Sequence, residues 1–198
     1  MKNVFVNHSL NYLIKNNACD DKQINIFRYT LESLYSLITK TSVVLLLSIF
    51  FKTFSITFIT IVLYSILRGF AFGIHATKNV YCWMITLTVY IVGPLLIKYY
   101  ILPMSIVYIC FAIGFVALLF WAPADTPSRP LLDKKKRNAN KIISLSLISI
   151  YILSTFYFNI SNYYEIICFL LIIETICICP LTYKLFNIPY NNYKNYKK

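Results

Sequence analysis

The chain of 198 residues contains two histidines, and one of them, His75, lies seven residues before a cysteine, Cys82. A cysteine and a histidine suffice for acyl transfer, because the imidazole accepts the thiol proton and the thiolate then attacks a carbonyl carbon to form a thioester. Imidazole suits this role since its unperturbed pKa of about 6.5 is close to cytosolic pH. The pair is therefore a candidate catalytic dyad.

The spacing of His75 and Cys82 predicts a break in the helix between them. In one continuous helix the two residues would be about 10 Å apart along the axis, which is long for a direct hydrogen bond. Gly73 and the polar residues 77–79 permit a turn that would leave Cys82 in the first turn of the next helix. A helix N-terminus favours a thiolate and stabilises a developing oxyanion. Without this break, both residues have structural roles only.

Four further residues are candidates for substrate-binding or supporting roles: Arg68, Glu32, Gly73 and Asp125. Glu32 lies at the edge of an apolar segment, where a carboxylate is costly unless it is paired, functional or hydrated at the interface. Arg68 is either its partner or a clamp for a substrate carboxylate. Asp125 either orients His75 or organises the proline-containing turn around it. Glu174 lies deeper in the last apolar segment, and we expect it to have a hydrogen-bonded structural role.

The composition predicts an integral membrane protein. Hydrophobic residues make up 59% of the chain and charged residues 13%, whereas a typical soluble domain is about 45–50% apolar and about 25% charged. A chain of this size cannot bury so much apolar surface in one core. We therefore expect an all-α, polytopic membrane protein, and we exclude a cytosolic enzyme, a disordered regulator and a secreted disulfide scaffold.

Six apolar segments are candidates for membrane-spanning helices, since a span needs about 20 mostly apolar residues. The segments are 31–51, 54–68, 80–98, 103–121, 141–159 and 163–183. The first two predict either two spans or one span and a re-entrant piece, because 54–68 is short. Residues 3–17 carry an amphipathic pattern, which predicts a helix that lies on the membrane interface or packs on the protein.

The basic residues are unevenly distributed along the chain, whose formal net charge is +12. All Lys and Arg residues except Lys40, Lys52 and Lys98 lie in the termini or in and beside 69–79 and 122–140. Six spans place these regions on one side, and the positive-inside rule makes that side cytoplasmic. The loop 122–140 contains three of the seven prolines and is predicted to be an extended connector. Its basic run could bind anionic lipid head groups or an acidic peptide.

These segments predict a single membrane-embedded domain over 1–198. Its parts are an interfacial segment (1–30), four spans (31–121) with the candidate catalytic loop (68–82), the basic loop (122–140), two spans (141–183) and a basic tail (184–198). The six cysteines form no C-x-x-C pair, and only two histidines accompany them. We therefore expect no metal site and no cofactor.

A family resemblance is carried by several motifs together. They are Arg68, Gly73-x-His75-Ala76, Cys82 and, about forty residues later, Ala122-Pro123-Ala124-Asp125-Thr126 with a basic loop after it. This pattern resembles the accessory gene regulator B (AgrB) family of bacterial membrane endopeptidases, which process quorum-sensing propeptides. The resemblance covers nearly the whole chain in length, order of spans and loop charge. The combination of motifs is more specific than any one of them.

The resemblance implies a cysteine peptidase whose site faces the cytoplasm from a bacterial cell membrane. Cys82 matches the family nucleophile and His75 its general base, while Arg68 matches the arginine ahead of the histidine motif. Glu32 falls where the family carries Gln or Glu. One departure concerns Phe72, which stands where many members have a second glycine, so the local backbone conformation is in question there.

The resemblance also implies a substrate and partners. The enzyme would cut the acidic C-terminal tail from an amphipathic propeptide and hold the remainder as a thioester on its cysteine. A cysteine of the peptide would then attack this thioester and close a thiolactone ring. The expected partners are the propeptide, membrane lipids and a second copy of the chain in a homodimer, and nucleic acid is not among them.

Two other functions stay open. A small transporter or exporter of a peptide or another solute usually places ionisable residues at mid-membrane, whereas Glu32 and Arg68 lie close to the ends of predicted spans. A non-catalytic membrane assembly factor would keep its function after replacement of Cys82 and His75.

Overall fold

The computed structural model describes residues 5–11, 21–74, 79–127, 130–158 and 162–196. Within these ranges the chain is helical apart from its connections, and an isolated β-bridge joins Phe72 to Ala124. The all-α expectation is therefore confirmed. The chain divides into two compact units, Met1–Leu47 and Ser48–Lys198.

The first unit begins with a short helix, α1, over residues 5–11. Val6 and Leu10 lie one turn apart and both are buried, so this face of α1 packs on the protein. The ring centroid of Phe5 lies 5.5 Å from that of Tyr35. The rest of the amphipathic segment 3–17 lies outside the described residues.

Helix α2, Asp21–Phe50, supplies most of the first unit and continues into the second. It begins ten residues before the predicted span 31–51, because a helix can extend past its apolar part into polar sequence. Glu32 consequently lies inside α2, and its side chain is partly buried.

The second unit contains the remaining helices. They are α3 (Phe54–Ala71), α4 (Asn79–Leu87), α5 (Gly93–Tyr99), α6 (Met104–Trp121), α7 (Lys134–Tyr157), α8 (Tyr163–Ile178) and α9 (Pro180–Leu185). A π-helical segment, Thr88–Val92, joins α4 to α5. A 3₁₀ turn, Asn192–Tyr196, follows near the C-terminus.

Five helices in the described ranges are long and apolar enough to cross a membrane. They are Gln23–Phe50, Phe54–Ala71, Val80–Tyr99, Met104–Trp121 and Lys134–Tyr157. The protein is thus a polytopic membrane protein, as the composition predicts. The segment predicted as 54–68 extends to a helix of 18 residues, which reaches the length of a full span.

The last predicted span, 163–183, is wrong at its C-terminal end. Helix α8 has 16 residues and ends at Ile178, where Cys179 adopts an extended conformation with φ −63° and ψ 129°. Pro180 explains this ending, because the ring of a proline disfavours helical geometry in the residue before it. The chain then continues in α9.

Helix α8 lies at the centre of the second unit. Nine of its side chains are buried, and it contacts α3, α5, α6, α7 and α9. Gly93 of α5 permits one of these close approaches, since the ring of Phe169 occupies the space that a Cβ atom would need. Helix α8 is therefore the element around which the other helices of this unit are arranged.

The prediction of an extended connector over 122–140 is wrong for its second half. Helix α7 begins at Lys134, and the Asp133 side chain caps it by accepting a hydrogen bond of 2.8 Å from the Lys135 N–H group. An aspartate at this position satisfies an N–H group that has no partner within the helix. The basic run at 134–137 is consequently the first turn of α7, and the Arg137 guanidinium lies 3.6 Å from the ring centroid of Tyr193.

Candidate active site

The C-terminal ends of α3, α6 and α8 meet in the second unit, and backbone hydrogen bonds join them. After α3 the chain leaves the helix at Phe72 and runs beside Ala124. The N–H group of Gly73 donates to the Ala124 carbonyl oxygen at 2.8 Å, and the Ala124 N–H group donates to the Ala71 carbonyl oxygen at 3.1 Å. The residues just before His75 are therefore tied to the turn after α6.

A second set of bonds ties the same segment to α8. The N–H group of Ile74 donates to the Cys177 carbonyl oxygen at 3.0 Å. The carbonyl oxygen of Ile74 accepts a hydrogen bond from Nη2 of Arg68. The N–H group of Ile74 is thus bonded to α8 and its carbonyl oxygen to α3. These two bonds hold the backbone of Ile74 in place.

The other arm of the Arg68 guanidinium forms an ion pair with α8. Its Nη1 atom lies 3.2 Å from Oε2 of Glu174, and the two side chains are 15% and 0% exposed. A carboxylate this deeply buried requires a charged or hydrogen-bonding partner. The partner of Arg68 in this structure is thus Glu174, and the predicted roles of Arg68, as the partner of Glu32 or as a clamp for a substrate carboxylate, stay predictions.

Gly73 occupies a position that no other residue type fits. Its φ is +103°, and a Cβ atom there would lie 2.5 Å from Nη1 of Arg68 and 2.8 Å from the Cys177 carbonyl oxygen. L-amino acids rarely adopt this backbone conformation. The glycine therefore lets the backbone pass directly against the guanidinium group.

Cys82 lies in the first turn of α4, as the spacing predicts. Helix α4 begins at Asn79, so Cys82 is its fourth residue, and this residue is partly exposed. A single helix from α3 through Cys82 does not exist, since residues 72–74 are not helical. His75 lies outside the described residues, and the contact between His75 and Cys82 stays a prediction.

Asp125 is buried in the turn after α6. Its Oδ2 atom accepts a hydrogen bond of 2.8 Å from the N–H group of Tyr193, so the carboxylate holds the 3₁₀ turn near the C-terminus against this loop. Asp125 therefore joins the turn after α6 to the 3₁₀ turn, and its predicted role in organising the proline-containing turn stays a prediction. The alternative, that it orients His75, stays a prediction.

Sequence reasoning did not include Glu174 or Cys177 among the residues of this site. One signal was available: Arg68 lies three residues before the end of α3 and Glu174 four residues before the end of α8. Opposite charges at similar depth in two apolar helices can pair, provided that the helices are neighbours and that their ends meet.

Comparison with known proteins identifies the family. The family model of accessory gene regulator B (AgrB) matches residues 6–178. An AgrB-like protein of Clostridium acetobutylicum is 28% identical over 176 residues, which cover 84% of this chain and 80% of the relative. Accessory gene regulator protein B of Staphylococcus haemolyticus is 32% identical over 142 residues, which cover 70% and 76%.

A third relative is an AgrB-like protein of Listeria innocua, which is 34% identical over 135 residues, covering 66% of this chain and 64% of the relative. No solved structure matches the chain. The family match extends from α1 to the end of α8, so it includes Arg68, Cys82, Asp125 and Glu174. This chain belongs to the accessory gene regulator B family.

Proposed function

We propose that this protein is a membrane-embedded cysteine endopeptidase that removes the C-terminal tail of a quorum-sensing propeptide and closes the remainder into a thiolactone or lactone. Membership of the AgrB family supports the proposal, as that family is associated with propeptide processing. The structural observation that carries it is the position of Cys82, a partly exposed residue in the first turn of α4.

The chemistry requires two acyl transfers. In the first, the Cys82 thiol gives its proton to His75 and its sulfur attacks the carbonyl carbon of the scissile bond. The C–N bond breaks as His75 returns the proton to the leaving amine, and the tail departs. The rest of the propeptide stays on Cys82 as a thioester.

The second transfer closes the ring. A thiol or hydroxyl group of the bound peptide gives its proton to His75 and attacks the thioester carbonyl carbon. The bond to Cys82 breaks, the proton passes to the Cys82 sulfur, and the cyclic peptide leaves. The enzyme is restored without any oxidant, reductant or metal ion.

Two features of the backbone favour these steps. Cys82 lies near the N-terminal end of α4, and a helix N-terminus favours a thiolate and stabilises a developing oxyanion. Ile74, which precedes His75, is held through its N–H group by Cys177 and through its carbonyl oxygen by Arg68. The residue that immediately precedes the general base, His75, is therefore held in place.

Charge supports the kind of substrate that we propose. The first turn of α7 carries Lys134, Lys135 and Lys136, all exposed, and it follows the turn that contains Asp125. We propose that this end of the helices faces the cytoplasm, in accordance with the positive-inside rule. A basic surface there attracts the acidic tail of a propeptide and the head groups of anionic lipids.

The remaining roles come from the family resemblance. We propose that Glu32 supports the site, as does the residue that the family carries at that position, and that the active form is a homodimer in the membrane.

The decisive experiment is propeptide cleavage by the full chain in lipid vesicles. Amphipathic propeptides with acidic tails are presented to the wild type, Cys82→Ala, His75→Ala and the control Cys110→Ala, which removes another partly exposed cysteine. We expect intact-mass analysis to show loss of the tail with the wild type and the control only. A hydroxylamine-sensitive adduct should form on Cys82.

Two outcomes would contradict the proposal. Cleavage by Cys82→Ala and His75→Ala at the wild-type rate would show that the dyad is wrong. Movement of peptide across the vesicle membrane without any cleavage would support a transporter instead.

A further inference from the structure

We propose that Glu174 is a positioning residue for the peptidase reaction: it orients Arg68, and through Arg68 it fixes the peptide group that leads to His75. This inference rests on the proposed function. It assigns a role in that reaction to a carboxylate that touches neither the substrate nor the nucleophile.

The environment of Glu174 argues against a role in stability alone. The carboxylate is completely buried near the end of α8, and its partner Arg68 is 15% exposed. A buried ion pair is seldom more stabilising than apolar side chains of the same size, because both charges lose their hydration. An apolar pair would therefore serve the fold equally well, and the retained charges call for a different explanation.

The geometry supplies that explanation. A guanidinium group is planar and rigid, so a partner on one arm sets the direction of the other. Nη1 of Arg68 contacts Glu174 at 3.2 Å, while Nη2 donates to the carbonyl oxygen of Ile74. The backbone of Gly73 lies directly beside the guanidinium group, since a Cβ atom at this position would be 2.5 Å from Nη1. The carboxylate thus selects the one orientation in which Arg68 reaches Ile74.

Helix α8 holds the same peptide residue from a second position. The Cys177 carbonyl oxygen, three residues after Glu174, accepts the N–H group of Ile74 at 3.0 Å. The C-terminal end of α8 thus binds the N–H group of Ile74 directly and holds its carbonyl group through Arg68. His75 is the next residue, so a rotation of the Ile74 peptide group displaces the backbone of the general base.

The expected effect on the reaction is large. A displacement of about 1 Å in a catalytic group can lower a rate about 100-fold. Glu174→Gln keeps the size of the side chain but removes the charge that orients the guanidinium. We expect this variant to reduce kcat for propeptide cleavage about 10- to 100-fold, with KM little changed.

The first test measures the coupling of Cys82 to its base without any substrate. The full chain in lipid vesicles is treated with iodoacetamide across a pH series, and alkylation of Cys82 is quantified by peptide mass spectrometry. We expect Glu174→Gln to move the pH midpoint of alkylation in the same direction as His75→Ala. The matched control is Glu165→Gln, which alters another buried carboxylate of α8 and should behave as the wild type.

The second test separates positioning from folding. The double variant Arg68→Gln/Glu174→Gln leaves no unpaired buried charge, so we expect it to unfold close to the wild-type temperature. It should nevertheless cleave as slowly as Glu174→Gln. Glu174→Asp keeps the charge and should recover part of the rate. Full recovery of cleavage in the double variant would overturn the inference, because the pair would then be structural only.

The outcomes distinguish this inference from the proposed function. An alkylation profile of His75→Ala identical to that of the wild type would refute the dyad itself. A shifted profile for His75→Ala together with a wild-type profile for a folded Glu174→Gln would refute the role of Glu174 alone.

Discussion

The hydroxyl group of Tyr183 donates a hydrogen bond of 2.9 Å to the backbone carbonyl oxygen of Ala124. The same oxygen accepts the N–H group of Gly73 at 2.8 Å. Tyr183 is completely buried in α9, so one carbonyl group joins the segment after α3, the turn after α6 and the helix after α8. The candidate site is therefore held together at its backbone as well as by the ion pair.

Tyr183→Phe tests this junction, because it removes the hydroxyl group and keeps the ring. Ala124 retains its bond from Gly73, so we expect the free energy of unfolding to fall by about 1 kcal/mol. Unfolding in detergent is the measurement. Tyr108→Phe, on an exposed part of α6, is the control and should change little; an equal loss in both variants would contradict the assigned role.

Gly73→Ala should destabilise the protein strongly. The new Cβ atom would lie 2.5 Å from Arg68 Nη1 in a residue with φ +103°, and backbone strain alone costs about 1–3 kcal/mol. Gly69→Ala is the matched control, since its Cβ atom would meet nothing within 4 Å. We expect Gly69→Ala to raise stability by up to about 1 kcal/mol, because alanine is favoured over glycine in a helix. Thermal unfolding of both variants measures these two changes in stability.

Phe72 has φ +65° and ψ −133°, a conformation that suits glycine. Two substitutions separate the backbone from the side chain. Phe72→Ala and Phe72→Gly both lose the buried ring, but only glycine relieves the strain. We expect Phe72→Gly to be more stable than Phe72→Ala by about 1–3 kcal/mol. The reverse order in unfolding experiments would show that this conformation carries no strain.

Gly93→Ala should destabilise the contact between α5 and α8, since the Phe169 ring occupies the space required by a Cβ atom. Overpacking of this kind costs about 1–3 kcal/mol. Phe169→Leu shortens the side chain, so the double variant should lose less stability than the sum of the two single variants. A double-mutant cycle measures this coupling, and strict additivity would argue against the close approach.

The basic first turn of α7 should accelerate capture of an acidic propeptide tail. Replacing Lys135 and Lys136 by Gln should lower kcat/KM about 10-fold at low ionic strength, and the difference should vanish at high salt. Lys52→Gln with Lys98→Gln removes the same charge from the connection before α3 and from the last turn of α5. If this control lost as much activity, net charge rather than local charge would be responsible.

The helices were predictable from hydropathy, but several of their ends were not. The apolar segments locate α3, α6 and α7 because a span must be apolar over most of its length. Hydropathy does not reveal polar turns that extend a helix beyond its apolar part. For this reason the starts of α2 at Asp21 and of α7 at Lys134 were not predicted. The early end of α8 could have been anticipated from Pro180, which interrupts the apolar segment.

The site was predictable only where it depends on local sequence. The position of Cys82 in the first turn of α4 follows from Gly73 and the polar residues before that helix. The pairing of Arg68 with Glu174 spans 106 positions, and no local pattern indicates which apolar helices are neighbours. The positive φ of Phe72 was also not predicted, because phenylalanine rarely adopts this conformation.

The separation of Arg68 from Glu174 sets an order of events during biosynthesis. At about 5–20 residues per second, the ribosome needs roughly 5–20 s to make the 106 positions between them. During that interval the chain contains Arg68 and Cys82 but not Glu174, the carboxylate that pairs with the arginine. A nascent chain can therefore form the ion pair between Arg68 and Glu174 only after α8 has been synthesised.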